Sequence, residues 1–597
     1  MRCPLVCTIR FLNKQIHYIY PFMKSLLTYI LLSLSLIIFS FSYYPRYEKG
    51  GSEATISWDV SGYYWYLPAA FIYHDLKNLS FSDSIRNAYS CSPDNQQITF
   101  LSNNRKVLKY SSGMAVQYLP FFFAAHLLAK PLGYLPDGFS PPYQLAIQIG
   151  ALLSMLLGLW VLRKLLLRYY KDGTVAVVLL LLAWGTNYTN YVCIDPGMSH
   201  AWLFTLYAML MLSTDNFYRK PAYGSAIQIG FLIGLLILSR PSEMIAGVLF
   251  LFWGLSSLSR RILRERAGWL WQQRGYLSWA LVCLLLTGGL QIAYWKYVSG
   301  DWLVYSYGDQ KFSWLKPHFI DYLFSYRVGW LLYCPMMLLA YAGFVTLFKQ
   351  RIQFWPVLLF SLLNLWVVTA WDIWWYGGRA MLQGSSVLMF PLAALVESVH
   401  QKSINKLLFY PVAALFLYLN IWWLHGTHKG CVINASDMTP KYYWKSVGRM
   451  SVNPQDRKFL FVSEEYTGKD SGTLVFQTNA NPIYIDTQHT DTLTQTFSAA
   501  SLHGKWLRFG AHVVCKSNNW DPHQMTDMGL QFTAGNQAIK RAAIQLDQLF
   551  YTQKTLDVFI DSQIPNEAFD SVSIFIQHPA TANGAFELSH LYLKSLR

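Results

Sequence analysis

Apolar runs of bilayer length recur between residues 25 and 424 and stop by residue 430. "LLTYILLSLSLIIFSFS", "VAVVLLLLAWGTNYTNYV", "WALVCLLLTGGLQIAYW" and "LLFYPVAALFLYLNIWWL" each approach the roughly 20 residues that a helix needs to cross a hydrocarbon core. Lipid offers no partner to backbone N–H and C=O groups, so such runs are expected as helices, which pair those groups internally. Only 13% of the residues are charged, about half the usual share for a soluble protein.

The charge divides along the same line. Residues 1 to 430 hold 34 Lys and Arg against 17 Asp and Glu, whereas residues 431 to 597 hold 14 against 15. The excess of +16 therefore belongs to short connections between apolar runs, where basic residues set topology, and it gives no reason to expect a nucleic-acid partner. Placing "RKLLLRYYK" (163 to 171), "YRK" (218 to 220), "RRILRER" (260 to 266), "KQR" (349 to 351) and "HQK" (400 to 402) in the cytoplasm gives about eleven spans. They fall near 25–42, 143–163, 174–192, 200–216, 223–239, 243–258, 276–296, 329–348, 354–370, 384–399 and 405–424. The amino terminus is then inside and the carboxyl end outside. "MKSLLTYILL" from Met23 reads as a natural start with an uncleaved first span, which makes 1–24 a cytoplasmic extension.

Three polar connections face outward in this scheme: 43–142, 297–327 and 371–386. Within the first, "GMAVQYLPFFFAAHLLAKPLGYL" is just long enough to span. A crossing there would turn "RKLLLRYYK" outward, so a helix lying along the membrane surface is expected instead. Beyond 430 the texture changes to alternating segments such as "GTLVFQT", "KWLRFGAHVVCKS", "GLQFTAGN", "AIQLDQLF", "TLDVFIDSQI", "SVSIFIQHPA" and "FELSHLYLKSL". Period-two alternation at this spacing predicts an all-β sandwich, jelly-roll-like, over 429–597, following a membrane domain over 25–428.

Ionisable residues near membrane depth are costly unless paired or wetted, and so are candidate functional residues. Those predicted on the outer face are Asp59 in "TISWDVSGYYWYLPAAF", Asp195 and His200 in "CIDPGMSHAW", Arg240 and Glu243 in "SRPSEM", Asp301, Asp309 and Lys311 in the second loop, and Asp372 and Arg379 in the third. Each has a plain structural alternative. Asp59 is placed to cap a helix, Arg379 to snorkel, and Arg240 and Glu243, at i and i+3, to pair with each other. Asp195-Pro196-Gly197 suits a turn, and His200 suits a satisfied interfacial histidine. Tyr305 and Tyr307, in "WLVYSYG", either mark the membrane interface or line a cavity and stack on sugar rings.

A long first outer loop with an Asp soon after the first span, a surface helix within it, a polytopic core and an exported tail together resemble the GT-C superfamily of glycosyltransferases. The stretches "SGDWLVYSYGDQKF", "SYRVGWLLYCP" and "WWYGGRAML" are similar to loops of bacterial members of the branch holding protein O-mannosyltransferases and aminoarabinose lipid A transferases. The resemblance covers roughly residues 25 to 400. It differs at Val60, where relatives usually carry a second acidic residue, and at "SSGM" (111 to 114), where many carry Pro-Pro.

The resemblance implies transfer of a sugar from a polyprenyl-phosphate carrier to a glycan, lipid or protein acceptor outside the cytoplasm of a bacterium. A base must take the acceptor's proton and cations must hold the departing phosphate. Asp59 is the expected base, Arg379 and Arg240 the expected phosphate ligands, and Asp195, His200, Glu243, Tyr305, Tyr307, Lys311 and Asp372 the expected cavity lining. The branch works without a metal, so neither metal nor cofactor is expected, although Asp59 with Asp195 or His200 has the chemistry to hold Mn or Zn. Membrane lipids and the lipid-linked donor are the expected partners. The tail resembles carbohydrate-binding modules in pattern, and either binds the acceptor glycan or shields the cavity mouth. Rival readings are a flippase for lipid-linked glycans and a non-catalytic glycan-binding protein. The cysteines show no metal-binding spacing, and Cys431 and Cys515 are a candidate pair if the tail is exported.

Overall fold

The computed structural model describes residues 23–597 apart from 93–95, 102–104, 328, 372–375, 431, 435–436, 470–471, 479–481, 487–492, 518–523, 551–553 and 580–581. The chain divides into two compact units, Met1–Ile421 and Trp422–Arg597. The first is helical, and each of the eleven segments expected to span contains helix. By length and composition four segments are apolar enough to cross a membrane: Met23–Glu48, whose first helix is Met23–Ser42, Pro141–Leu166, Arg274–Ser299 and Ser403–His428. Seven further apolar helices are shorter, including Gly113–Ala129, Asp172–Gly185, Tyr223–Ser239 and Ser385–His400.

Local chemistry sets the helix ends. Pro141 and Pro142 occupy the first positions of Pro141–Leu166, where a missing N–H costs nothing, and Arg163 and Lys164 lie in its last turn, where positive charge meets the helix dipole. The amino end of Met23–Ser42 is held from two other helices: the Asp172 carboxylate accepts from the N–H groups of Lys24 at 2.9 Å and Ser25 at 3.2 Å, and Arg163 Nε donates to Ser25 Oγ at 2.8 Å. Helices Tyr223–Ser239 and Arg274–Ser299 approach so closely that a Cβ on Gly230 would lie 1.9 Å from the Ala280 carbonyl oxygen.

The connections between helices converge. A small hairpin, β1 (Ile98–Phe100) with β2 (Lys106–Leu108), lies in the first loop, where the Leu108 N–H donates to Tyr294 Oη of helix Arg274–Ser299 at 2.9 Å. Thr99 Oγ1 donates to the Ser306 carbonyl at 2.6 Å, and Ser306 Oγ to the Lys109 carbonyl at 2.5 Å, which fastens the second loop to the first. Phe312 bridges Trp371, Ser313 N–H donates to the Ala370 carbonyl at 2.6 Å, and His318 N–H to the Thr369 carbonyl at 2.9 Å. These bonds fasten the second loop to the entrance of the third.

The second unit holds two antiparallel sheets. Its strands are β3 (Thr473–Gln477), β4 (Ile483–Ile485), β5 (Leu493–Ser498), β6 (Trp506–Cys515), β7 (Asp527–Ala534), β8 (Gln537–Gln545), β9 (Thr555–Gln563), β10 (Ser571–Gln577) and β11 (Phe586–Leu596). One sheet runs β5-β10-β7-β8; the other runs β3-β11-β6-β9, with β4 also on β11. Alternate residues of both sheets, including Phe509, Ile560 and Leu593 from one and Leu530, Ile544 and Ile574 from the other, fill one shared core. The segment 543–550, expected as strand, is strand only to Gln545: Leu546–Leu549 form a 3₁₀ turn whose two leucines are buried, and the strand begins earlier, at Gln537. Cys515 is buried as a free thiol, and Cys431 lies outside the described residues.

Candidate functional site

Asp59 sits in the first turn of the short helix Trp58–Tyr64. Ser57 precedes that helix, but its hydroxyl is already engaged, accepting from Arg46 Nη2 at 3.0 Å and donating to the Ala54 carbonyl at 2.7 Å. Trp58 takes a left-handed φ of 48°, held by its N–H to the Cys91 carbonyl at 3.0 Å. Both Asp59 oxygens go to side chains: Tyr110 Oη donates to Oδ1 at 2.6 Å, and Arg379 Nη2 to Oδ2 at 2.8 Å. The cap alternative for Asp59 is thereby replaced by an ion pair across two loops.

Tyr110 is buried, with its ring edge-on to Tyr63 at 4.7 Å and to Tyr307 at 6.0 Å between centroids. Burial, and then the neighbouring Asp59 carboxylate, push its phenol well above the ordinary tyrosine range, so it remains a proton donor at any physiological pH.

Arg379 extends from the turn Tyr376–Met381, which needs two glycines in left-handed backbone: Gly377 has φ 66° and Gly378 φ 62°. A Cβ on Gly378 would also lie 2.5 Å from Trp330 Cβ. Burial opposes the charge on Arg379, but the Asp59 carboxylate, together with Tyr191, Tyr63 and Tyr110, outweighs it and holds the guanidinium ionised. Arg379 does not snorkel to open solvent; it binds Asp59.

Arg379 also lines a cavity of about 70 Å³, together with Arg240, His200, Glu243 and Gln383, against apolar walls from Phe312, Val367 and Trp371. Arg240 and Glu243 form no ion pair with each other. Glu243 accepts from Tyr207 Oη at 2.6 Å, Gln383 Nε2 at 2.6 Å and Ser242 Oγ at 3.2 Å, while Arg240 Nη1 faces His200 Nε2 at 3.4 Å. Two guanidiniums, one imidazole and one carboxylate leave the cavity suited to a small anion. The volume is far below the roughly 300–1,000 Å³ of a pocket for a whole ligand, so it fits a charged group and not an entire substrate.

Four expected residues thus line the cavity (His200, Arg240, Glu243 and Arg379), and Asp59 is bonded to one of them. Asp195 does not line it, because Arg46 and Asn190 take its two oxygens. Tyr305 and Lys311 are exposed, with the Tyr305 hydroxyl spent on the Gln310 carbonyl of its own loop, and Asp301 and Asp309 are exposed as well. Tyr307 packs between Tyr110 and the Trp371 ring, 5.5 Å away, behind the lining. Asp372 lies outside the described residues. Tyr110, Gln383 and Arg46 were not anticipated. Among the described residues no three His, Cys, Asp or Glu side chains converge as a metal site would require.

A second, open groove of about 760 Å³ is lined by Tyr47, Lys49, Tyr89, Leu132, Phe139 and Gln144, among others. Ala54 and Ile56, on the segment leading into Asp59, form part of its wall.

No protein-family model matches the chain, and no curated protein is significantly similar to it.

Proposed function

We propose that the chain is an integral-membrane glycosyltransferase of the GT-C type, which moves a sugar from a polyprenyl-phosphate carrier to an acceptor hydroxyl outside the cytoplasm. About eleven spans, a cytoplasmic amino terminus and an outward-facing site in the inner membrane of a bacterium complete the reading. One observation carries it: the Asp59 carboxylate is bonded to Arg379, which shares an anion-suited cavity with Arg240. A base beside two cations is the pairing that glycosyl transfer from a phosphate ester needs.

In this reading the donor phosphate enters the cavity and competes with Asp59 for the Arg379 guanidinium. Release from that ion pair frees Asp59 Oδ2 to accept the proton of the acceptor hydroxyl. The acceptor oxygen attacks the anomeric carbon from the opposite face. The bond from that carbon to the phosphate oxygen breaks, its electron pair staying on the phosphate, and the configuration inverts. Arg379 and Arg240 hold the polyprenyl phosphate that leaves. The cavity admits only the phosphate, so the sugar lies at its mouth, and the open groove beside the Ala54–Ile56 segment offers apolar wall for the prenyl chain.

The test is a panel of polyprenyl-phosphate monosaccharides offered to the purified full-length protein with envelope lipids and glycans as acceptors, read by mass spectrometry. Release of polyprenyl phosphate coupled to a glycosylated product is expected for at least one donor. Movement of intact donor across proteoliposomes, without cleavage, would point to a flippase instead.

A further inference from the structure

We infer that Gln383 and Glu243 are positioning residues, which aim Arg240 at the donor phosphate by fixing the tautomer of His200. The inference rests on the glycosyltransferase reading for the identity of the anion.

The directions of the hydrogen bonds are forced by chemistry. A guanidinium only donates, so Arg240 Nη1, 3.4 Å from His200 Nε2, requires a lone pair there. The ring proton then sits on Nδ1, 3.0 Å from Gln383 Oε1, which accepts it. With its oxygen so used, Gln383 has only its amide nitrogen to offer Glu243 Oε1, 2.6 Å away, and that N–H donates to the carboxyl oxygen. Tyr207 and Ser242 donate to the same carboxylate, so nothing at that end is free to reverse.

The chain of bonds joins parts of the fold that share no continuous element. His200 lies on Ser199–Arg219, Gln383 just before Ser385–His400, and Glu243 on the turn Pro241–Ala246. His200, Gln383 and Glu243 are each no more than 2% exposed, whereas Arg240 is half-buried at the cavity. A long, flexible guanidinium is thereby held by a rigid buried relay in place of solvent. Reversing any link would turn a donor against Arg240 and drive it from the cavity.

The test uses full-length protein in nanodiscs and measures affinity for undecaprenyl phosphate and for the uncharged undecaprenol. Gln383→Leu is expected to weaken undecaprenyl phosphate about tenfold, as loss of a hydrogen bond that orients a charge does, and to leave undecaprenol unaffected. In an Arg240→Ala background the same substitution is expected to add less than about twofold, because its effect runs through Arg240. If Gln383→Leu does not fold, Gln383→Asn, which retracts both amide functions by one methylene, enters the same cycle with the same expectation. Independent, multiplying effects of Gln383 and Arg240, or a Gln383 variant with parental phosphate affinity beside a weakened Arg240→Ala, would overturn the relay while leaving the phosphate site standing. A parental protein that binds phosphate and alcohol equally would overturn both.

Discussion

Asp59 and Arg379, 320 residues apart in the chain, meet at 2.8 Å, with Tyr110 completing the coordination of the carboxylate at 2.6 Å. The pair joins the first long loop to the third, and its geometry depends on the glycine turn that presents Arg379. A charge pair drawn from such distant segments survives in a fold only where the surrounding loops are held together. The bonds from Thr99, Ser306 and Ser313 do that here.

Arg379→Ala is expected to lower kcat/KM for the polyprenyl-phosphate donor by about 10²- to 10³-fold, the usual loss when one electrostatic stabiliser of a leaving group is removed. Arg379→Lys keeps the charge but not the planar pair of donors, and is expected to fall between the alanine variant and the parent. Steady-state kinetics with varied donor checks both.

Gly378→Ala is expected to approach the Arg379→Ala loss, although it touches no substrate. The new methyl group meets Trp330 at 2.5 Å, and φ of 62° costs an L-residue about 1–2 kcal/mol. The turn must shift, and Arg379 with it. Donor kinetics together with a melting curve separate a misplaced guanidinium from general unfolding.

Tyr110→Phe removes one of the two bonds that orient Asp59 and leaves the ring packed on Tyr63 and Tyr307. Transfer is expected to slow about tenfold, with thermal stability lowered by about 1 kcal/mol or less, since the hydroxyl contributes one charge-assisted bond at a half-wet carboxylate. Rate and melting temperature measured on the same preparation check the split.

Much of the helical layout was legible because an apolar run bounded by basic residues has few other places to go. Helix occurs in each expected segment, down to the basic end of Pro141–Leu166. Most β strands were legible for the same reason, since alternating residues such as those of β6 and β10 suit a half-buried sheet. β5, with its polar "LTQTFS", carried no such signal. The polar partners were less visible. Asp195 was expected at the cavity, but Arg46, an unremarked loop residue, sits within bonding reach and takes it. Tyr110 and Gln383 are neutral side chains in ordinary contexts, "KYSS" and "MLQGSS", and gain their roles only when distant loops meet. Patterns of charge mark where ionisable groups lie, whereas their pairing is decided by tertiary packing.

In the second unit, Lys458 is 8% exposed, with its ammonium 3.6 Å from the Phe559 ring centroid. Burial pushes its pKa down to about 8, against the partial opposition of Asp561 and Glu465. An unfolded lysine titrates near 10.4, so between the two values the unfolded chain binds the proton and the folded chain does not. Stability therefore rises with pH across that window, and the burial cost is fully present below pH 8. The melting temperature of this unit in the full-length protein is expected to climb between pH 8 and about 9.5. Lys458→Met is expected to stabilise the unit at pH 7 by on the order of 2 kcal/mol, and to abolish the climb.

The most direct measurement is the rate at which purified Asp59→Asn protein transfers sugar from the proposed polyprenyl-phosphate donor, with donor affinity measured on the same sample. The substitution keeps the size of the side chain and an acceptor oxygen for Tyr110 while removing the base. Donor binding within a few-fold of the parent, with transfer reduced by about 10²-fold or more, is the expected result. Transfer at the parental rate would contradict the assignment of Asp59 as the group that activates the acceptor.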